Sequence, residues 1–121
     1  MKIENIKFKA KRFDNDEWVE GDLIHKNNGV YVYNPQIVNK RGYSVQSIRI
    51  DSHTVCMFTG LKDKNGTPIY EGDLVTYKDN NAERRGAITW DSKDTSFCFE
   101  QDFLVHYPSE NMIVVGNKFD K

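Results

Sequence analysis

Ile6, Phe8 and Ala10 alternate with Lys7, Lys9 and Lys11 near the start of the chain. Alternation with period two sends the two sets of side chains to opposite faces, so residues 6–11 predict a half-buried β-strand. Asp14-Asn15-Asp16 predicts a turn, because short polar side chains bond their own backbone there. A second strand is expected over 17–25. Lys26-Asn27-Asn28-Gly29 predicts a hairpin, since Asn-Gly accepts positive φ at little cost. Residues 30–33 return as its partner strand until Asn34-Pro35, where proline offers no donor to the ladder. Residues 36–44 carry no readable pattern. Alternation resumes over 45–51, then a turn at 51–54 and a short buried strand at 55–58. Residues 59–68 are dense in turn residues and mark a sub-domain boundary. Strands follow over 73–78, 85–91 and 95–100, with a polar loop at 79–83. Residues 101–109 fit a helical turn or a strand. Residues 112–116 are apolar throughout, which predicts a central strand. No amphipathic helix of about ten residues is legible, and turn signals recur every ~8–12 residues, as in small sandwiches and barrels.

One unit occurs twice: Trp18-Val19-Glu20-Gly21-Asp22-Leu23-Ile24 and Ile69-Tyr70-Glu71-Gly72-Asp73-Leu74-Val75. In each, an aromatic precedes Glu-Gly-Asp, and Leu plus a β-branched residue follows. Glycine permits positive φ or close backbone approach, and aspartate can cap a turn, so both copies predict a turn that feeds a strand. The second copy has a long turn-rich lead-in that the first lacks. The two are therefore uses of one device, not equivalent domains.

Composition adds limits. With 121 residues the chain fits one domain or two small sub-domains. Seventeen Lys/Arg against 18 Asp/Glu give a net charge of −1, and no long block of one sign occurs. An obligate nucleic-acid binder would show a basic excess. Cys56 and Cys98 stand in separate apolar runs without a CxxC spacing, which predicts two buried free thiols in a reducing compartment. The first residues have no apolar signal-peptide core, and no stretch approaches the ~20 apolar residues of a membrane span. No membrane association is expected.

The run Phe58-Thr59-Gly60-Leu61-Lys62-Asp63-Lys64-Asn65-Gly66-Thr67-Pro68-Ile69-Tyr70-Glu71-Gly72-Asp73-Leu74-Val75 resembles the signature of the YopX family, small proteins of phages and prophages. Residues 6–12 with 18–23 resemble its N-terminal strand pair. Residues 51–55, 86–90 and 114–117 resemble later elements. Met57-Phe58 departs from the Gln-aromatic pair that members often carry, and many members continue into a short helical tail where this chain has none, so no terminal helix is expected. The resemblance implies a β-rich fold with an SH3-like barrel in the second half. The expected organisation is an N-terminal β sub-domain over 1–59 and an SH3-like β-barrel over 60–121, together forming one compact unit. It implies a phage-derived protein of the bacterial cytoplasm, and supplies no activity, catalytic residue or cofactor.

Motifs for chemistry are sparse. His25, His53 and His106 lack the spacing of zinc ligands. Asp63-Lys64-Asn65-Gly66 shares letters with a calcium loop but lacks its flanking acidic ligands, and a tight turn at Asn65-Gly66 explains it better. No phosphate-binding loop, nucleophile elbow or dinucleotide fingerprint is present. The expectation is no enzyme, no cofactor and no metal.

One basic patch stands out. Lys7, Lys9 and Lys11 share a strand face with Arg12 beside them, and Arg84 and Arg85 adjoin a loop. The plain alternative is a solvated edge strand whose lysines block edge-to-edge aggregation. The leading expectation is a non-enzymatic interaction or adaptor protein that binds a host or phage protein, or another copy of itself. The second is weak nucleic-acid binding through Lys7, Lys9, Lys11, Arg12, Arg84 and Arg85.

Overall fold

The computed structural model describes residues 2–39, 41–43 and 47–120. Among these residues, eleven strands form two sheets in which every ladder is antiparallel, and the helical segments are 3-10 turns. The chain divides into two compact units, residues 1–57 and 58–121.

In the first unit, β1 (Phe8–Lys11), β2 (Trp18–Lys26), β3 (Gly29–Tyr33) and β4 (Ile48–Arg49) lie in the order β4-β3-β2-β1. Cys56 and Met57, which open β5 (Cys56–Lys62), pair with Lys9 and Phe8 on the far side of β1. The predicted alternation holds at Ala10, which is fully buried with Val32 and Ile50, while Val19, Leu23, Val30 and Val55 pack against them. Asp16 at φ 61° closes the 14–16 turn, and Asn15 Oδ1 accepts the Glu17 N–H at 3.0 Å. Of the strand expected over 45–51, residues 45 and 46 lie outside the described residues, and the rest supplies β4.

The first Glu-Gly-Asp copy lies within the strand expected over 17–25 and corrects only the turn. It closes no turn. Residues 18–26 run through it as one strand, and Gly21 pairs with Phe8. A Cβ at Gly21 would run into the Tyr33 carbonyl oxygen of the neighbouring strand. The glycine is there for close approach, and Asp22 is an exposed strand residue opposite Tyr33.

In the second unit, the remainder of β5 pairs with β6 (Pro68–Tyr70). β5 runs four residues past the expected end at 58, because Gly60 at φ 86° absorbs a bulge between Phe58 and Lys62. β7 (Asp73–Lys78), β8 (Glu83–Asp91), β9 (Ser96–Phe99), β10 (Asp102–Phe103) and β11 (Met112–Asn117) form a sheet in the order β10-β9-β8-β7-β11. Ile69, Val75, Tyr77, Ile88, Phe99, Leu104 and Met112 make its core.

The second Glu-Gly-Asp copy does turn. Gly72 takes φ 89°, and Asp73 is fully buried. One Asp73 carboxylate oxygen accepts the Tyr70 N–H at 2.8 Å and the other the Asn117 side-chain amide at 2.9 Å. Asp63 is the hub of the preceding turn. Its Oδ1 accepts the N–H groups of Asn65 and Thr67, and its Oδ2 that of Val114, each at 2.9 Å. Gly66 sits at φ 82°. The residues that share letters with a calcium loop thus serve a backbone turn.

β11 is a second correction. Its apolar run predicts a central strand, but it lies at the sheet edge and pairs with β7 alone. The turn supplies what a second strand would: Lys64 donates its N–H to the Met112 carbonyl at 2.9 Å, and Asp63 accepts from Val114. Residues 101–109 resolve into both expected forms, β10 and a 3-10 turn at Leu104–His106, with a second turn at Ser109–Asn111.

Candidate functional site

The β9–β10 hairpin turns on Glu100, a non-glycine residue at φ 58° whose N–H bonds the Ala87 carbonyl. This corner sets Asp102 opposite Phe99. The 3-10 turn then brings His106 and Tyr107 back onto Asp102. His106 Nδ1 lies 3.0 Å from one carboxylate oxygen, which also accepts the Phe103 N–H at 2.8 Å. Tyr107 donates its hydroxyl to the other oxygen at 3.2 Å, and Arg84 Nη1 donates to the Tyr107 hydroxyl at 3.2 Å. Tyr107 is held by edge-on contacts with Tyr77 and Phe99, at 5.1 and 5.0 Å between ring centres. The hydrogen bond from His106, then that from the Phe103 N–H, keep the Asp102 carboxyl below the ordinary aspartate range. Chemically, this row of polar groups fixes the conformation of residues 102–107.

Those residues also form one wall of an open depression of about 460 Å³. Leu61 from β5, Phe97 from β9, and Leu104, Val105, Tyr107 and Pro108 line it, as does Glu110. Leu61, Phe97 and Tyr107 also pack against the core, so the groove floor is the core's outer surface. Val105 is 84% exposed. An aliphatic side chain this exposed gains little from burial on folding.

The basic residues singled out in the sequence occupy varied settings. Lys9 and Lys11 converge on Trp18, their ammonium groups 4.8 and 5.6 Å from its ring centre. Lys11 is 7% exposed, so it stands off the open face that the alternation suggests. Arg12 makes a two-pronged ion pair with Asp14, both contacts at 3.0 Å, which raises the guanidinium further and lowers the Asp14 carboxyl. Lys7 lies just before β1. Arg84 and Arg85 are successive residues of β8 and point to opposite faces. Arg84 sits opposite Tyr77 and Arg85 opposite Thr76. Only Arg84 joins the site.

Sequence reasoning missed Asp102, His106, Tyr107 and Val105. The Asp102–His106 spacing of four was the available signal, but it has meaning only once a turn is known there. Among the described residues, no three His, Cys, Asp or Glu side chains gather to hold a metal, and no helix is long and apolar enough to cross a membrane.

These features define a small, mainly β protein with a shallow apolar groove beside a hydrogen-bonded corner. The family model described as YopX protein matches residues 7–120, and the chain belongs to that family. No curated protein matches it.

Proposed function

We propose that the protein is a non-enzymatic interaction module of phage or prophage origin, acting in the bacterial cytoplasm, and that the groove at Val105 is its contact surface. The observation that supports this is the exposed Val105 and Pro108 beside half-buried Leu61, Phe97 and Tyr107, on a turn that the Asp102 hydrogen bonds to His106 and Tyr107 hold in place. Preorganised apolar surface loses little conformational entropy on binding. We take the second unit as an SH3-like barrel, in keeping with its bulged β5 and the 3-10 turns before β11. The test compares capture from phage-carrying cells by the wild-type chain and by Val105→Glu, with nuclease treatment in parallel. A nuclease-resistant protein that is retained by wild type and lost with the variant is the expected result. Identical capture by both overturns the reading.

A second reading, weak nucleic-acid binding, draws on cations stacked over aromatic rings in the first unit. Besides the Trp18 cluster, Lys26 lies 4.3 Å over Tyr31 and Arg49 4.5 Å over the exposed Phe13. Aromatic faces beside cations suit stacked bases. Binding of this kind weakens log-linearly with salt, and no retention on DNA or RNA at about 50 mM salt overturns it.

A further inference from the structure

Charge is unevenly divided along this chain. Residues 1–57 carry nine Lys/Arg and seven Asp/Glu, a net +2, whereas residues 58–121 carry eight and eleven, a net −3. Part of that excess lies near the groove: Glu110 is in its lining and Asp91 stands across from Ser96, while Arg84, bonded to Tyr107, is the cation on the Asp102 side. Between Asp91 and Asp102 the sequence holds Asp91, Asp94, Glu100 and Asp102 against the single cation Lys93. This stretch contains β9, which contributes Ser96 and Phe97 to the lining. Asp91 pairs across from Ser96, and Asp102 across from Phe99. Glu110 is itself one of the lining residues.

We infer that the groove takes an extended segment of a partner protein whose apolar residues are flanked by lysine or arginine. The inference rests on the interaction reading above and names the chemistry of its partner. Apolar side chains seat against Leu61, Phe97 and Val105, and the flanking cations meet the carboxylates of Glu110 and Asp91. A nucleic-acid strand would bring phosphates toward a unit of net −3 and is disfavoured, as is pairing of this unit with its own copy. The depression is open rather than enclosed, which suits a chain laid across it better than a small molecule buried in it.

The test is an array of synthetic twelve-residue peptides with varied apolar centres, each centre presented with Lys/Arg, Ser or Asp/Glu flanks, probed with the full-length protein. Bound peptides should concentrate among those with Lys/Arg flanks. For the best binder, fluorescence anisotropy should show Val105→Glu weakening affinity by about tenfold or more, because the new carboxylate is desolvated against apolar groups. That variant adds negative charge, so a merely electrostatic association would tighten instead. Glu110→Lys should weaken it by about two- to fivefold, as befits a screened rim charge. Both side chains are exposed, and the thermal midpoint of each variant checks its folding. Equal binding to Asp/Glu-flanked peptides, indifference to Val105→Glu, or a Val105-dependent dimer in sedimentation overturns the inference. If the array shows no charge preference while cellular capture still depends on Val105, the charge assignment fails and the interaction reading stands. If capture also ignores Val105, both fail.

Discussion

Asp63 satisfies three backbone N–H groups from positions as distant in sequence as Asn65 and Val114, and it is 6% exposed. Removing it orphans all three donors at once. Asp63→Ala should therefore destabilise the protein by about 3 kcal/mol. Urea unfolding measures this, and a loss below about 1 kcal/mol would mean that water replaces the carboxylate at little cost. Asp102 is the opposite case, an exposed carboxylate whose partners tune rather than bury it. Its folded-state value lies below the ordinary one, so its contribution to stability is fully present above the ordinary aspartate value of about 3.9 and is lost as pH falls through the lowered folded value. Carboxyl-carbon NMR should find its midpoint depressed. His106→Ala removes the largest cause, so the midpoint should rise toward the ordinary value; an unchanged midpoint would assign the depression to the Phe103 N–H instead.

Strands whose two faces meet different surroundings were legible in the sequence. β1, β2, β3 and β7 all stand close to where alternation and turn residues put them, because hydrophobic period and Asx or Asn-Gly turns act locally. Three features were not. The Glu-Gly-Asp motif fits both a turn and a continuous strand, and only the Tyr33 carbonyl beside Gly21 distinguishes them. β11 reads as central from its side chains, yet edge or centre is decided by backbone partners that come from the Asp63–Lys64 turn. The candidate site was hidden most fully. Its hairpin corners at Thr95 and Glu100 take φ of 48° and 58° without the Gly or Asn that announces such a conformation. With no predicted corner, Asp102 and His106 had no geometry to share. The family signature, by contrast, was legible as letters, and its Asp63, Gly72 and Asp73 now have stated backbone roles.

At the scale of the molecule, the chain is two compact units, residues 1–57 and 58–121. Cys56 and Met57 of β5 pair with β1, and Phe58 and Lys62 pair with β6. Each unit holds one buried free thiol, Cys56 in the first and Cys98 in the second. Pulsed thiol labelling along a urea series thus reads the two units separately. Each thiol is buried within its own unit, so each should stay unreactive until that unit unfolds; labelling of either cysteine before the unfolding transition would show that its burial is not maintained. The turn at Asp63 carries a different kind of consequence. The first four residues of β11, Met112, Ile113, Val114 and Val115, are apolar, uncharged and mostly β-prone, the composition from which stacked fibrils grow. What denies them a recruit is that the outward Met112 carbonyl and Val114 N–H are already occupied from within the same chain. A protein damaged at that turn would do more than lose stability: it would offer newly made chains a sticky template, and its failure would spread from molecule to molecule.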